Sequence, residues 1–90
     1  MPDTEFTEWD FALLRTLDEV RAQGRAGIGP AELTPLLERR FPGNPEVAMR
    51  QGISITRLRG RGLVALADDG SVTLTPEGAA LAHGLEDVGR

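Results

Sequence analysis

The chain contains no cysteine and no lysine among its 90 residues. Without cysteine it cannot form a disulfide framework, a zinc ribbon, an iron–sulfur site or a thiol nucleophile. Its apolar stretches extend over only a few residues, too short for a helix that spans a bilayer. The first five residues are acidic and lack the basic start and apolar run of a signal peptide. These absences predict a cytoplasmic protein with no membrane contact.

The charge is segregated along a chain whose length suits one small domain. The net charge is −4, with ten arginines against 14 acidic residues. Residues 20–61, the basic segment, contain eight arginines and three acids, whereas residues 1–19 and 62–90 are both acidic. The exclusive use of arginine suits phosphate recognition, but it is equally expected from GC-rich coding. The charge pattern therefore indicates a local rather than a global preference for polyanions.

A first helix is predicted over about 7–23. Thr7 can cap its start with Asp10 in the first turn, and Phe6 can pack on Phe11 as a hydrophobic staple. Apolar residues then recur at helical spacing. We expect this helix to contribute one face to the core.

The second helix has two possible starts after an extended connector at residues 27–29. It begins at Pro30 and tolerates Pro35 in its interior, or Thr34 caps a shorter helix with Pro35 in the first turn. In both cases it ends near Arg40, because Phe-Pro-Gly follows.

The third helix is predicted to start at Asn44 as the cap, with Pro45 in the first position, and to extend to about Gly60. Gly52 lies in its middle, where glycine costs about 1 kcal/mol relative to alanine. We therefore expect either close packing against another helix or a break at Gly52.

Two short strands and a last helix complete the chain. Residues 63–67 and 71–74 flank the turn Asp68-Asp69-Gly70, which predicts a β-hairpin. Thr75-Pro76-Glu77 then repeats the pattern of a helix start. The predicted fold class is mainly α with a small β-hairpin, in the order helix, helix, helix, hairpin, helix.

Two sequence motifs at the hairpin carry a family resemblance. The stretch Leu58-Arg59-Gly60-Arg61-Gly62-Leu63-Val64 is followed, after the turn, by Leu74-Thr75-Pro76-Glu77-Gly78. With this spacing, residues of about 7–85 resemble the winged helix-turn-helix domain of MarR- and PadR-like bacterial regulators, and the related module of Mrr-type restriction systems. The resemblance implies a DNA-binding transcriptional regulator whose third helix enters the major groove, and a homodimer that pairs through its first and last helices.

The third helix provides the candidate DNA-binding residues. Positions spaced i, i+4, i+7 and i+11 share one face of a helix, and here they are Arg50, Ser54, Arg57 and Arg61. Guanidinium groups on such a face can bind guanine edges or phosphates. We expect Arg50, Ser54 and Arg57 to lie in the major groove. We assign phosphate contacts to four residues: Arg39, Arg40, Arg59 and Arg61. The opposite face, predicted to meet the core, is formed mainly by Ala48, Gln51, Gly52, Ile55 and Leu58.

One feature favours an alternative partner. The hairpin tip is acidic at Asp68 and Asp69, so it would repel phosphates instead of binding the minor groove. The alternative hypothesis is a winged-helix protein–protein interaction module without DNA binding. Two roles are possible for three apolar residues, either packing within the protein or contact with a partner: Trp9, Met49 and Ile53.

No catalytic or cofactor chemistry is predicted. His83 is the single histidine, without a neighbouring ligand, and Glu86 at i+3 suggests an ordinary surface pair. The adjacent acids Asp68 and Asp69 precede glycine, as turn residues do. We therefore predict neither an enzyme, nor a metal site, nor a bound cofactor.

Overall fold

Four helices and one hairpin follow each other in the predicted order. The computed structural model describes residues 6–88, with the backbone alone from residue 85 onward. The class is mainly helical with a two-stranded antiparallel sheet, which confirms this part of the prediction. The elements are α1 (Glu8–Ala22), α2 (Pro30–Arg40), α3 (Val47–Gly60), β1 (Val64–Leu66), β2 (Val72–Leu74) and α4 (Pro76–Val88).

The start of α1 is held by the predicted cap. The Thr7 hydroxyl accepts the Asp10 backbone N–H at 3.2 Å, and the Asp10 carboxylate accepts the Thr7 N–H at 3.0 Å. This reciprocal pair satisfies two of the amide groups that a helix start leaves without partners. The rings of Phe6 and Phe11 lie 5.8 Å apart, centroid to centroid, which completes the staple.

The second helix begins at Pro30 and continues through Pro35. The Thr34 hydroxyl oxygen lies 3.0 Å from the Pro30 carbonyl oxygen, one turn back in the same helix. The alternative, in which Thr34 caps a shorter helix, is therefore wrong. The helix ends at Arg40, as predicted.

The third helix begins at Val47, later than predicted, because Asn44 closes a turn and does not cap the helix. The Asn44 side-chain oxygen accepts the Glu46 N–H at 2.8 Å. The helix then continues without interruption through Gly52 to Gly60. Both expectations for Gly52 are wrong, since an added Cβ there would meet nothing within 4 Å.

The hairpin pairs Val64 with Leu74 and Leu66 with Val72. Both strands are slightly shorter than predicted, at three residues each. The turn between them depends on Gly70, whose φ of +87° is readily adopted only by glycine,. The predicted turn at Asp68-Asp69-Gly70 is thus confirmed.

The connector between α1 and α2 also joins the sheet, which the sequence did not indicate. The Ile28 N–H donates to the Val72 carbonyl at 3.1 Å, and the Val72 N–H donates to the Ile28 carbonyl at 2.8 Å. Ile28 is almost fully buried. The first half of the chain therefore holds the hairpin in place.

The last helix starts at a close contact between α4 and the hairpin. The Thr75 hydroxyl accepts the Gly78 N–H at 3.0 Å and donates to the Gly62 carbonyl at 2.7 Å. A Cβ at Gly78 would overlap the Leu63 carbonyl. Glycine at this position of the Leu-Thr-Pro-Glu-Gly motif is therefore required by the contact.

The core collects apolar side chains from every element, with α1 in contact with each of the other three helices. This arrangement leaves one side of α3 facing away from the core. The most deeply buried apolar residues are Leu13, Leu14, Ile28, Leu33, Leu37, Leu58, Val72 and Ala82.

Candidate nucleic-acid interface

The buried face of α3 agrees with the predicted one at Gln51 and Leu58 and differs from it at the other positions. It consists of Val47, Gln51, Ser54 and Leu58, again spaced i, i+4, i+7 and i+11. Only 3% of Ser54 is exposed. The prediction that Ser54 faces the major groove is therefore wrong.

Gln51 explains why a polar residue lies on the buried face. Its side-chain oxygen accepts from the Thr34 hydroxyl at 2.8 Å, and its side-chain NH₂ donates to the Pro30 carbonyl at 3.2 Å. A buried amide is tolerated when it is hydrogen-bonded in this way. Gln51 thus ties α3 to the start of α2 and is not available to a ligand.

The outward side of α3 is apolar. Met49 is 55% exposed and Ile53 46% exposed, so both lie at the surface and not beneath the hairpin. Together with their neighbours they line a shallow groove of about 500 Å³. Its lining residues, which we call the apolar strip of α3, are Ala48, Met49, Gly52, Ile53 and Thr56, with Arg57 at the edge.

Arg57 connects the strip to α1. Its Nη2 lies 3.4 Å from Oδ2 of Asp10, a carboxylate that is fully buried, while 38% of the Arg57 side chain remains exposed. The Nε atom of Arg57 is buried as well. The guanidinium therefore has a structural contact of its own, in addition to any role toward a ligand.

Arg50, between Met49 and Gly52 in the sequence of α3, and Arg61, just past the end of α3, do not line the strip and each has a local contact. Arg50 forms an i,i+4 ion pair with Glu46 at 3.3 Å. The Arg61 guanidinium lies 4.9 Å from the centre of the Phe6 ring. Such exposed contacts are weak, so both guanidinium groups can turn toward a polyanion.

Arg39 at the end of α2 and Arg59 on α3 are the two other predicted phosphate contacts. Both side chains are exposed. Neither has an ion-pair partner among the residues that the structure describes. Exchange of solvent for a phosphate would therefore break no existing ion pair at these two positions.

Arg40, also predicted as a phosphate contact, is bound to α1 instead. Its Nε donates to the Thr16 hydroxyl at 2.9 Å, and its Nη2 pairs with Glu19 at 2.8 Å. These bonds connect the end of α2 with α1. We therefore remove Arg40 from the set of phosphate contacts.

The aromatic and histidine side chains lie outside the strip. Trp9 is partly buried and stacks on Phe41 with centroids 3.9 Å apart, which supports the interpretation as a core residue. His83 lies 3.5 Å from Asp18 on α1, whereas the side chain of Glu86, its expected neighbour, is outside the described residues. Among the described side chains, no group of three histidines or acids has the arrangement of a metal site.

Comparison with protein-family models, with curated proteins and with solved structures gives no match for this chain. Between residues 6 and 88, no helix combines the length and the apolar character needed to cross a membrane. The functional argument therefore rests on the geometry and charge of α3.

Proposed function

We propose that this chain is a winged helix-turn-helix protein that binds double-stranded DNA with α3 in the major groove. The order of three helices, hairpin and helix supports the proposal, as does the hairpin that directly follows α3. In this proposal it is a bacterial transcriptional regulator that acts in the cytoplasm as a homodimer, paired through α1 and α4. A two-fold dimer would prefer a palindromic site.

One observation carries the proposal. Residues 47–61, which form α3 and its cap, contain four arginines and no acidic residue. The side of α3 that faces away from the core lies among these charges. A B-form major groove has room for one helix, and its phosphates attract a local positive field even when the whole protein is acidic.

The geometry revises the contact set. Ser54 is removed because it is buried, and Arg40 because it is bound to α1. Arg57 stays at the edge of the surface, with Asp10 as its structural partner. Four exposed guanidinium groups remain for phosphates: Arg39, Arg50, Arg59 and Arg61.

Binding to a fluorescent duplex pool of random sequence, titrated against salt by anisotropy, tests the proposal. Four phosphate contacts predict a log–log salt slope of roughly −3.6 for each protomer and about −7 for a dimer. Arg59→Gln should reduce the slope by about 0.9 for each protomer. Arg59 is a better probe than Arg57 because its replacement breaks no ion pair among the described residues.

Arg15→Gln is the matched control. It removes the same charge from an exposed position on α1 that does not line the strip. Its slope should equal that of the unchanged protein. Absence of binding at low salt, or equal slopes for all three proteins, would contradict the proposal.

A second candidate function is a protein–protein interaction module. The observation that favours it is the exposure of Met49 and Ile53 on α3, beside a hairpin whose tip carries Asp68 and Asp69. A protein partner with an apolar surface would cover the same strip. The salt titration separates the two candidates, because this module would show no DNA binding at low salt.

A further inference from the structure

We infer that α3 recognises thymine through its C5-methyl group, by apolar contact with Met49 and Ile53. The inference rests on the proposed DNA binding and names the base that the same site distinguishes. It follows from which side chains of α3 face outward and which are already bound within the protein.

The hydrogen-bonding side chains that could read base edges are largely committed. Gln51 is bonded to α2, and Ser54 is buried. The Thr56 hydroxyl donates to the Gly52 carbonyl at 3.0 Å, one turn back in the helix. Base recognition by the middle of α3 must therefore depend mainly on apolar contact.

Thymine is the base that offers such a contact. In the major groove it alone presents a methyl group, whereas guanine, cytosine and adenine present donors and acceptors only. Met49 and Ile53 are four residues apart, so they lie one turn from each other on the same face. The unbranched side chain of Met49 and the β-branched side chain of Ile53 form a surface that methyl groups can pack against.

Beside these two side chains, Gly52 allows the backbone of α3 to approach a ligand closely. It lies within the apolar strip, and nothing in the protein lies within 4 Å of the position where its Cβ would be. The backbone of α3 can therefore come nearer to the floor of a groove at this point than a side chain would permit.

The charges around the strip favour DNA as its occupant. Arg57 borders the strip, Arg50 lies on the same helix between Met49 and Gly52, and Arg59 and Arg61 follow. Since residues 47–61 contain no acid, this surface is complementary to a ligand with apolar groups between two rows of negative charge. A thymine-rich major groove has this composition.

The test compares one A·T-rich duplex in two forms, with thymine and with deoxyuridine in place of every thymine. The replacement removes only the methyl groups. Affinity of the unchanged protein should fall about fourfold for each methyl group that α3 buries, the change expected for one buried CH₂. The salt slope should stay the same, because the phosphates are unchanged.

Met49→Gln and Ile53→Gln should each reduce the difference between the two duplexes. Both positions are exposed, so the fold should persist, and circular dichroism verifies this. Leu66→Gln is the matched control, because Leu66 is a similarly exposed apolar residue on β1 and not on α3. It should keep the full preference for thymine.

The outcomes separate the two proposals. Binding of both duplexes with equal affinity overturns the thymine inference and leaves the proposed DNA binding in place. A preference for thymine that survives both glutamine variants also overturns the assignment to Met49 and Ile53. Absence of binding to either duplex at low salt overturns the proposed function itself and points to a protein as the occupant of the strip.

Discussion

Arg57 on α3 reaches back to Asp10 in the first turn of α1, with 3.4 Å between Nη2 and Oδ2. Asp10 is fully buried and belongs to the capping box, where it also accepts the Thr7 N–H. One carboxylate thus holds the start of α1 and the outer part of α3. Arg57 therefore supports the structure as well as bordering the proposed interface.

Arg57→Gln should destabilise the protein by about 1–3 kcal/mol. The change removes a cation from a buried carboxylate, which is costly because the remaining charge is desolvated. The partial exposure of Arg57 places the effect below that of a fully buried pair. Urea unfolding, followed by circular dichroism, measures the free energy of unfolding.

A double-mutant cycle with Asp10→Asn tests whether this loss comes from the pair. The double variant should lose about 0.5–3 kcal/mol less than the sum of the two single losses. Thr7→Ala, which removes the other half of the capping box, should cost about 1 kcal/mol and add to Arg57→Gln without coupling. Additive losses for Asp10→Asn and Arg57→Gln would mean that the ion pair contributes nothing.

Gly78→Ala should destabilise the protein by about 1–3 kcal/mol, the usual effect of overpacking. The added methyl group would overlap the Leu63 carbonyl, which is backbone and cannot turn away. Thermal unfolding measures the loss. Gly84→Ala in the same helix is the control, because its Cβ would meet nothing within 4 Å; a loss equal to that of Gly78→Ala would exclude the overlap as the cause.

Gly52→Ala should raise stability and weaken DNA binding. Alanine is favoured over glycine inside a helix by about 1 kcal/mol, which corresponds to a rise in Tm of about 4–8 °C in a domain of this size. The same methyl group would separate α3 from the floor of the groove. Gly84→Ala should also raise the Tm, but it should leave the affinity for the thymine duplex unchanged; an unchanged affinity of Gly52→Ala would contradict the close approach.

The stability of the hairpin turn should depend on pH through the Asp69 carboxylate. The Ser71 backbone N–H donates to the Asp69 carboxylate at 2.9 Å and holds the pKa of Asp69 below its usual value. The stabilisation is therefore complete above the pKa that Asp69 has in the unfolded chain, about 4. It is lost as the pH falls through the lower pKa that Asp69 has in the folded protein. The Ser71 amide shift in NMR should follow this titration.

Two asparagine variants assign the effect to one carboxylate. Asp69→Asn should abolish the pH dependence of the Ser71 amide, since the carboxamide does not titrate in this range. Asp68→Asn removes the same charge from the neighbouring position and should leave the titration in place. If Asp68→Asn abolished the titration and Asp69→Asn did not, the hydrogen bond would have to be assigned to Asp68.

Local signals predicted most of the fold. The cap at Thr7, the staple of Phe6 on Phe11 and the turn at Gly70 each depend on residues close in the chain, and each is present. The bridge between Ile28 and Val72 was not predicted, because it joins distant segments and no residue type specifies it. Asn44 shows the limit of a local signal, since the same side chain can cap a helix or close a turn.

The orientation of α3 could not be predicted for a related reason. At about 100° per residue, the predicted contact face and the observed buried face are roughly 60° apart, and Ser54 belongs to both. Gln51 was expected on the core side and lies there, but the polarity of Ser54 concealed its burial, which follows from tertiary packing. With this orientation of α3, Met49 and Ile53 face outward.

The bridge between Ile28 and Val72 also separates the anchoring of the hairpin from its tip. The sheet register is held at Val72 by the α1–α2 connector, whereas residues 68–70 project beyond the paired strands. Loop length and charge at the tip can therefore change without a change of register. The base of the hairpin and its tip are thus independent of each other: a longer loop grafted between β1 and β2 should fold on the same base.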